Sequence, residues 1–175
     1  MKRDEDPEIL AQLVLGLHPI QPATSARQRL LDVAQGVQRF APFTRDFATF
    51  FDLEVPIARA LLEGLHNEDG WRPGKAPGAP KFRSFTAGPG ADGLHASFAR
   101  LLPGSRIPPH RHLTRELVFV LNGAMIDSDG RTYGPGEALS KEPQSVHSVS
   151  IGGDRECWVA SLVGEVDLVG EDGAH

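Results

Sequence analysis

The run Gly104-Ser-Arg-Ile-Pro-Pro-His110-Arg-His112-Leu-Thr-Arg-Glu116-Leu-Val-Phe-Val-Leu-Asn-Gly123 decides the fold. Two histidines and a glutamate stand between two glycines, and the second half of the run reads as a strand. Histidines two apart on a strand put both imidazoles on one face, where both reach a single ion. Glu116 adds a carboxylate after a short bend, and His147 follows on a neighbouring predicted strand. Three neutral imidazoles and one carboxylate suit Zn²⁺, Fe²⁺, Mn²⁺, Ni²⁺ or Cu²⁺, so the residue types alone leave the metal open.

Outward from this run the texture is β. Lys81 to Ala87, His95 to Leu102, Glu116 to Asp127, Glu137 to Ser140, Ser145 to Ile151 and Cys157 to Leu168 read as strands. Between them stand the turn formers Gly88-Pro-Gly, Pro103-Gly, Asp129-Gly and Gly134-Pro-Gly136. Many short strands at this spacing predict a sandwich or barrel. Both faces of Glu116 to Leu121 are apolar apart from Glu116; if Glu116 points into the barrel, Val118 and Val120 do too, and Leu117, Phe119 and Leu121 point outward. An outward row that apolar requires a cover, which N-terminal helices or a second subunit would supply; a helical cap or a homodimer is expected.

Residues 1–71 read as a helical region. Asp6-Pro7 opens a helix with Ile9, Leu10, Leu13, Val14 and Leu17 on one face, and a second helix carries Leu30, Leu31, Ala34 and Val37. Shorter helices are predicted from Thr44 to Phe51 and from Pro56 to Leu65, and five of the nine phenylalanines lie between Phe40 and Phe51. At helical spacing, such a cluster reads as a small packed core. A helix-turn-helix over Phe47 to Leu65 carries no phosphate-binding face, because residues 1–72 hold 8 Lys/Arg against 11 Asp/Glu. Residues 72–80 are a Pro/Gly linker, 81–170 the metal-binding domain and 171–175 a tail.

Composition sets the outer bounds. The 175 residues carry a net charge of −5, which argues against a nucleic-acid or anionic-membrane surface. The one cysteine, Cys157, excludes an intramolecular disulfide framework and reads as a buried small hydrophobe in an apolar strand. Ile9 to Leu17 is too short for a membrane span or signal peptide, so a cytoplasmic protein is expected. His18, His66 and His175 read as solvated, and His95 as a packed histidine with a weaker claim to line the metal cavity. Glu137, Glu142 and Tyr133, near the motif in the chain, read first as turn or surface residues.

Gly-x5-His-x-His-x3-Glu-x6-Gly resembles the first motif of the cupins, complete from Gly104 to Gly123. Gly134-Pro-Gly136 through Pro143-Gln-Ser-Val-His147 resembles the second. It departs from the usual pattern in having Ser145 at a glycine position and a proline-to-histidine spacing one residue shorter. Residues 109–127, Glu142 to His147 and the strand at Cys157 look like the C-terminal cupin domain of ChrR-type anti-sigma factors, over residues 81–168. Segment Leu17 to Gln35 resembles the stretch joining the two halves of such regulators.

The resemblance implies a mainly β cupin jelly-roll barrel preceded by a small α-helical region. It implies one divalent metal held by His110, His112, Glu116 and His147, zinc first and Fe²⁺, Mn²⁺ or Ni²⁺ as alternatives. It also implies a regulatory role, with a sigma-factor-like partner engaging the N-terminal helices. The family's His-x3-Cys-x2-Cys anti-sigma motif has no counterpart in this sequence. Two alternatives stand beside regulation. One is a metal-dependent dioxygenase acting on a small ketone or diketone, or an isomerase, with a small molecule at the metal. The other is a purely structural ion.

Overall fold

The computed structural model describes residues 36–75, 79–91 and 93–169. Residue contacts divide the chain into 1–36 and 37–175. The first expected helix, the second as far as residue 35, and the tail at 171–175 lie outside the described residues; Val37, expected on the apolar stripe of the second helix, is exposed in a turn.

Among the described residues, eleven strands form two antiparallel sheets. They are β1 (Arg72–Pro73), β2 (Lys81–Ser84), β3 (His95–Leu101), β4 (Arg106–His112), β5 (Glu116–Asn122), β6 (Ala124–Asp127), β7 (Thr132–Tyr133), β8 (Ala138–Lys141), β9 (Val146–Gly152), β10 (Cys157–Val163) and β11 (Val166–Leu168). One sheet runs β1-β2-β3-β10-β5-β8 and the other β11-β4-β9-β6-β7. The mainly β architecture is the one expected; β1, β4 and β7 add to the expected strands, the first of which ends at Ser84, and two expected strands change sheet. Glu116 to Asp127 is broken at Gly123 into strands of different sheets, and Cys157 to Leu168 is likewise divided between the sheets after Val163.

Gly123 makes the first of these crossings possible. Its φ is +77°, and a Cβ there would lie 2.6 Å from the Glu156 carbonyl oxygen and 2.8 Å from Cys157 Cα. A side chain is therefore excluded by both conformation and space. This is the physical reason the motif ends on glycine.

The alternation in β5 also comes out as read. Val118 and Val120 join Ala99, Met125, Leu139, Val149 and Val159 in the barrel interior. Phe119 and Leu121 face the other way, into a cluster with Phe47, Phe51, Phe98 and Trp158. The cover is helical: α1 (Thr44–Phe50) and α2 (Val55–Glu63) bring Phe47, Ala58 and Leu62 onto the outer face of the six-stranded sheet. The row thus gives no reason of its own for a second subunit.

Aromatic packing dominates this second core. Phe47, fully buried, stacks on Phe98 with ring centres 5.7 Å apart and meets Phe119 edge-on at 6.3 Å. Burying each such ring contributes roughly 1.5–3 kcal/mol. At the edge of the cluster, Arg100 lies over Trp71 and Trp158, 4.0 and 3.8 Å from the ring centres. Its guanidinium donates to the Leu65 carbonyl (3.0 Å) and to Glu68, tying the residues after α2 to β3. The helical residues before the barrel and the barrel itself thus share one packed core.

Candidate metal centre

His110, His112, Glu116 and His147 each bring one donor atom into a group whose members all lie within 4.8 Å of one another. Three strands supply them. His110 and His147 are directly paired across the β4–β9 ladder, which puts their side chains on the same face. Glu116 is the first residue of β5, in the opposite sheet, so the group spans the two sheets. The β4–β9 register shifts between Ile107 and His110. Pro108 and Pro109 have no N–H to give the ladder, so a bulge is where this interior strand accommodates them.

The hydrogen bonds around the histidines determine which nitrogen faces the centre. The Nδ1–H of His110 donates to the Pro108 carbonyl (2.9 Å), and that of His147 to Asp127 Oδ1 (2.9 Å). The two Nε2 lone pairs are then left 3.1 Å apart. Glu116 Oε2 lies 3.4 Å from His147 Nε2 and 3.5 Å from His112 Nε2. With metal–nitrogen bonds near 2.0–2.1 Å, donors on one ion stand roughly 3.0 Å apart at right angles and 3.4 Å apart at the tetrahedral angle. These three spacings, 3.1, 3.4 and 3.5 Å, lie in or close to that range. His112 is 1% exposed, and neither of its ring nitrogens has a hydrogen-bond partner among the described residues. An unsatisfied buried polar group costs on the order of 1–3 kcal/mol, and a cation at the centre would satisfy one of the two His112 nitrogens, Nε2, which faces Glu116. The residues present therefore fit a metal ion.

Charge around the centre is arranged from one side. Burial pushes the Asp127 carboxyl upward, but hydrogen bonds from Lys141 and His147 outweigh it and leave its pKa lowered. Burial likewise depresses His147, while the contacts with Glu116 and Asp127 outweigh it and leave its pKa raised. For His112 burial prevails over the nearby Glu116, and the pKa is lowered toward the neutral imidazole. Asp127 and Lys141 went unnoticed in the sequence. The available signal was alternation in β6: Met125 faces the barrel interior, so Asp127 does too, and a buried carboxylate must have partners.

The other sequence candidates fall elsewhere. His95 is exposed and contacts Ser84 Oγ through Nε2 at 3.3 Å, so it neither packs in a core nor belongs to the donor group. His66 is exposed at a helix end. Tyr133 is buried in the barrel core, Glu137 accepts the Gly134 N–H in a turn, and Glu142 is exposed. Cys157 is fully buried, and desolvation pushes its thiol up to about 12.

The departure in the second motif has a local solution. Gln144 adopts φ +68°, so the left-handed residue of the turn sits one place before the usual glycine position occupied by Ser145. Ser145 donates from its N–H and its hydroxyl to the Glu142 carbonyl. The turn is bonded to a donor residue in both directions, Gln144 N–H to the His112 carbonyl (2.7 Å) and His112 N–H to the Ser145 carbonyl (3.0 Å).

Residues 67–167 match the family described as ChrR Cupin-like domain. The chain belongs to this family. No curated protein matches the chain significantly in sequence. Among solved structures, this ChrR-type cupin is similar to the acetylacetone dioxygenase of Acinetobacter johnsonii, at 13% identity and a TM-score of 0.51 over 62% of this chain and 77% of that one. It is also similar to a chain in the complex of Rhodobacter sphaeroides SigE with the anti-sigma ChrR, at 17% identity and a TM-score of 0.50 over 89% of this chain and 75% of that one. Likeness at these identities is likeness of fold. Among the described residues, no helix is long and apolar enough to cross a membrane.

Proposed function

We propose that this ChrR-type cupin is a regulatory metal protein. One divalent ion, zinc first, is held by His110, His112, Glu116 and His147, and its occupancy or ligation governs a protein partner. The observation that carries the metal assignment is the orphaned, fully buried His112 beside two imidazoles whose Nε2 lone pairs converge with a carboxylate. Such an ion links the two sheets and lends Lewis acidity at that point. The chain's own contribution is orientation: Pro108 and Asp127 hold two imidazoles in the tautomer that presents Nε2.

Family membership supports regulation over catalysis, and the partner class we propose is sigma-factor-like, after the anti-sigma ChrR that is similar in fold. Without a His-x3-Cys-x2-Cys motif, any such contact runs through other surfaces of this chain. A metal-dependent dioxygenase is the second reading. It is favoured by one feature, a cavity onto which His110, Glu116 and His147 open.

Elemental analysis of protein purified without added metal and without oxygen separates these readings. One equivalent of zinc, together with retention of a sigma factor in a pull-down, supports the first. One equivalent of iron with O₂ uptake on small ketones replaces it with the second. Sedimentation velocity checks the homodimer expected alongside.

A further inference from the structure

The donor group does not face bulk solvent directly; three of its members open onto a cavity of ≈ 290 Å³ inside the barrel. Its wall is largely aliphatic, with Val118, Met125, Leu139, Val149 and Val159 in the depth. At its rim Phe82, Ile107, Val166 and Leu168 are partly or largely exposed, apolar side chains where a surface is ordinarily polar. Apart from the three donor residues, the polar side chains of the lining are Ser97 and Ser161, whose hydroxyls lie 3.5 Å apart. Among the described residues, Glu116 is the only carboxylate in the lining, and no lysine or arginine lines it.

Charge and size together specify an occupant. A divalent ion with three neutral imidazoles and one carboxylate leaves the centre with one net positive charge. Asp127 and Lys141 pair with each other behind His147 and add nothing to that balance. The volume is about twice that of a cavity of about 150 Å³ that accommodates benzene, which allows an apolar body of about eight to ten carbons.

We propose that the cavity binds a compact apolar monoanion, its single acidic oxygen group at the metal and its hydrocarbon body along Val118, Met125 and Val159. This rests on the metal assignment above and names the ligand class of that site. A carboxylate head neutralises the centre's remaining charge, and the tail takes up a wall that offers water few partners.

Isothermal titration of zinc-loaded protein with octanoate, acetate, octanol and octylamine tests it, with zinc content measured on every sample. Each buried methylene is worth about fourfold in affinity. Octanoate is therefore expected to bind at least about 100-fold more tightly than acetate, and at least about tenfold more tightly than octanol or octylamine. Val118→Phe and Ser161→Leu, paired across β5 and β10 on one wall of the cavity, each fill it and are expected to lower octanoate affinity at least about tenfold with zinc content unchanged. Octanoate binding no tighter than acetate, octanol binding as tightly as octanoate, or tight binding that persists in both filled variants overturns the proposal while leaving the metal centre standing. A wild-type protein that takes up no zinc overturns both, and the elemental analysis identifies that case.

Discussion

Gln144 is the residue that replaces a missing glycine by bearing the strain itself. A non-glycine side chain at φ +68° costs on the order of 1 kcal/mol. The turn keeps it because its backbone is bonded to His112 on both sides. Gln144→Gly is expected to raise stability by about 0.5–1 kcal/mol, read as a higher urea midpoint with an unchanged slope. Asp127 is a different kind of residue, acting through its neighbour. It orients His147 and neutralises Lys141, so Asp127→Asn is expected to weaken zinc binding by about 10–100-fold in chelator competition while the barrel stays folded. His110, His112 and Glu116 could be named as candidates from their spacing, and His147 from its place on a later predicted strand in the motif pattern; the structure brings the four together. Asp127 and Lys141 could not be named in this way, because their partnership depends on how β6, β8 and β9 come together, and no local pattern records that.

At the scale of the elements, β5 does two jobs with its two faces. Its inward residues lead from Glu116 into the barrel, and its outward residues anchor the helices. Phe47 is the point where α1 meets this face, so Phe47→Ala is expected to cost about 3–5 kcal/mol in unfolding free energy. Period-2 alternation made both faces of β5 legible, and the clustering of phenylalanines from Phe40 to Phe51 made the helical core legible. The break at Gly123 was not legible as a change of sheet. A glycine within an apolar run signals a bend, but only the close approach of Glu156 and Cys157 explains where the chain goes next.

For the whole molecule, the donor group lies between the two sheets, so metal binding and global stability are linked. An ion that binds only the folded chain stabilises it by about 4 kcal/mol at a thousandfold excess over its dissociation constant. Zinc is therefore expected to raise the melting temperature, and a chelator to reverse the rise, in a differential scanning measurement. Cys157 supplies an independent reading of the same equilibrium. Its thiol is fully buried and pushed up to about 12, so it stays protonated and unreactive at pH 8 in the folded protein. Unfolding restores an ordinary cysteine, and labelling by a thiol reagent is expected to be slow in buffer, slower with zinc and complete in denaturant.

The amino-acid sequence by itself determined the mainly β class, the two faces of β5 and the His-x-His-x3-Glu…His set. The alternation and the His-x-His pair are local, since side chains alternate along a strand and residues two apart share a face, whereas His147 was placed by its position on a later strand of the motif pattern. Only the tertiary structure decided that the apolar outer row is covered by α1 and α2 of the same chain, that Asp127 and Lys141 stand behind His147, and that an apolar cavity opens onto three of the donors. These are relations between residues far apart in sequence. They are decided by how the two sheets close on each other, and that closure follows from the summed burial of the whole chain.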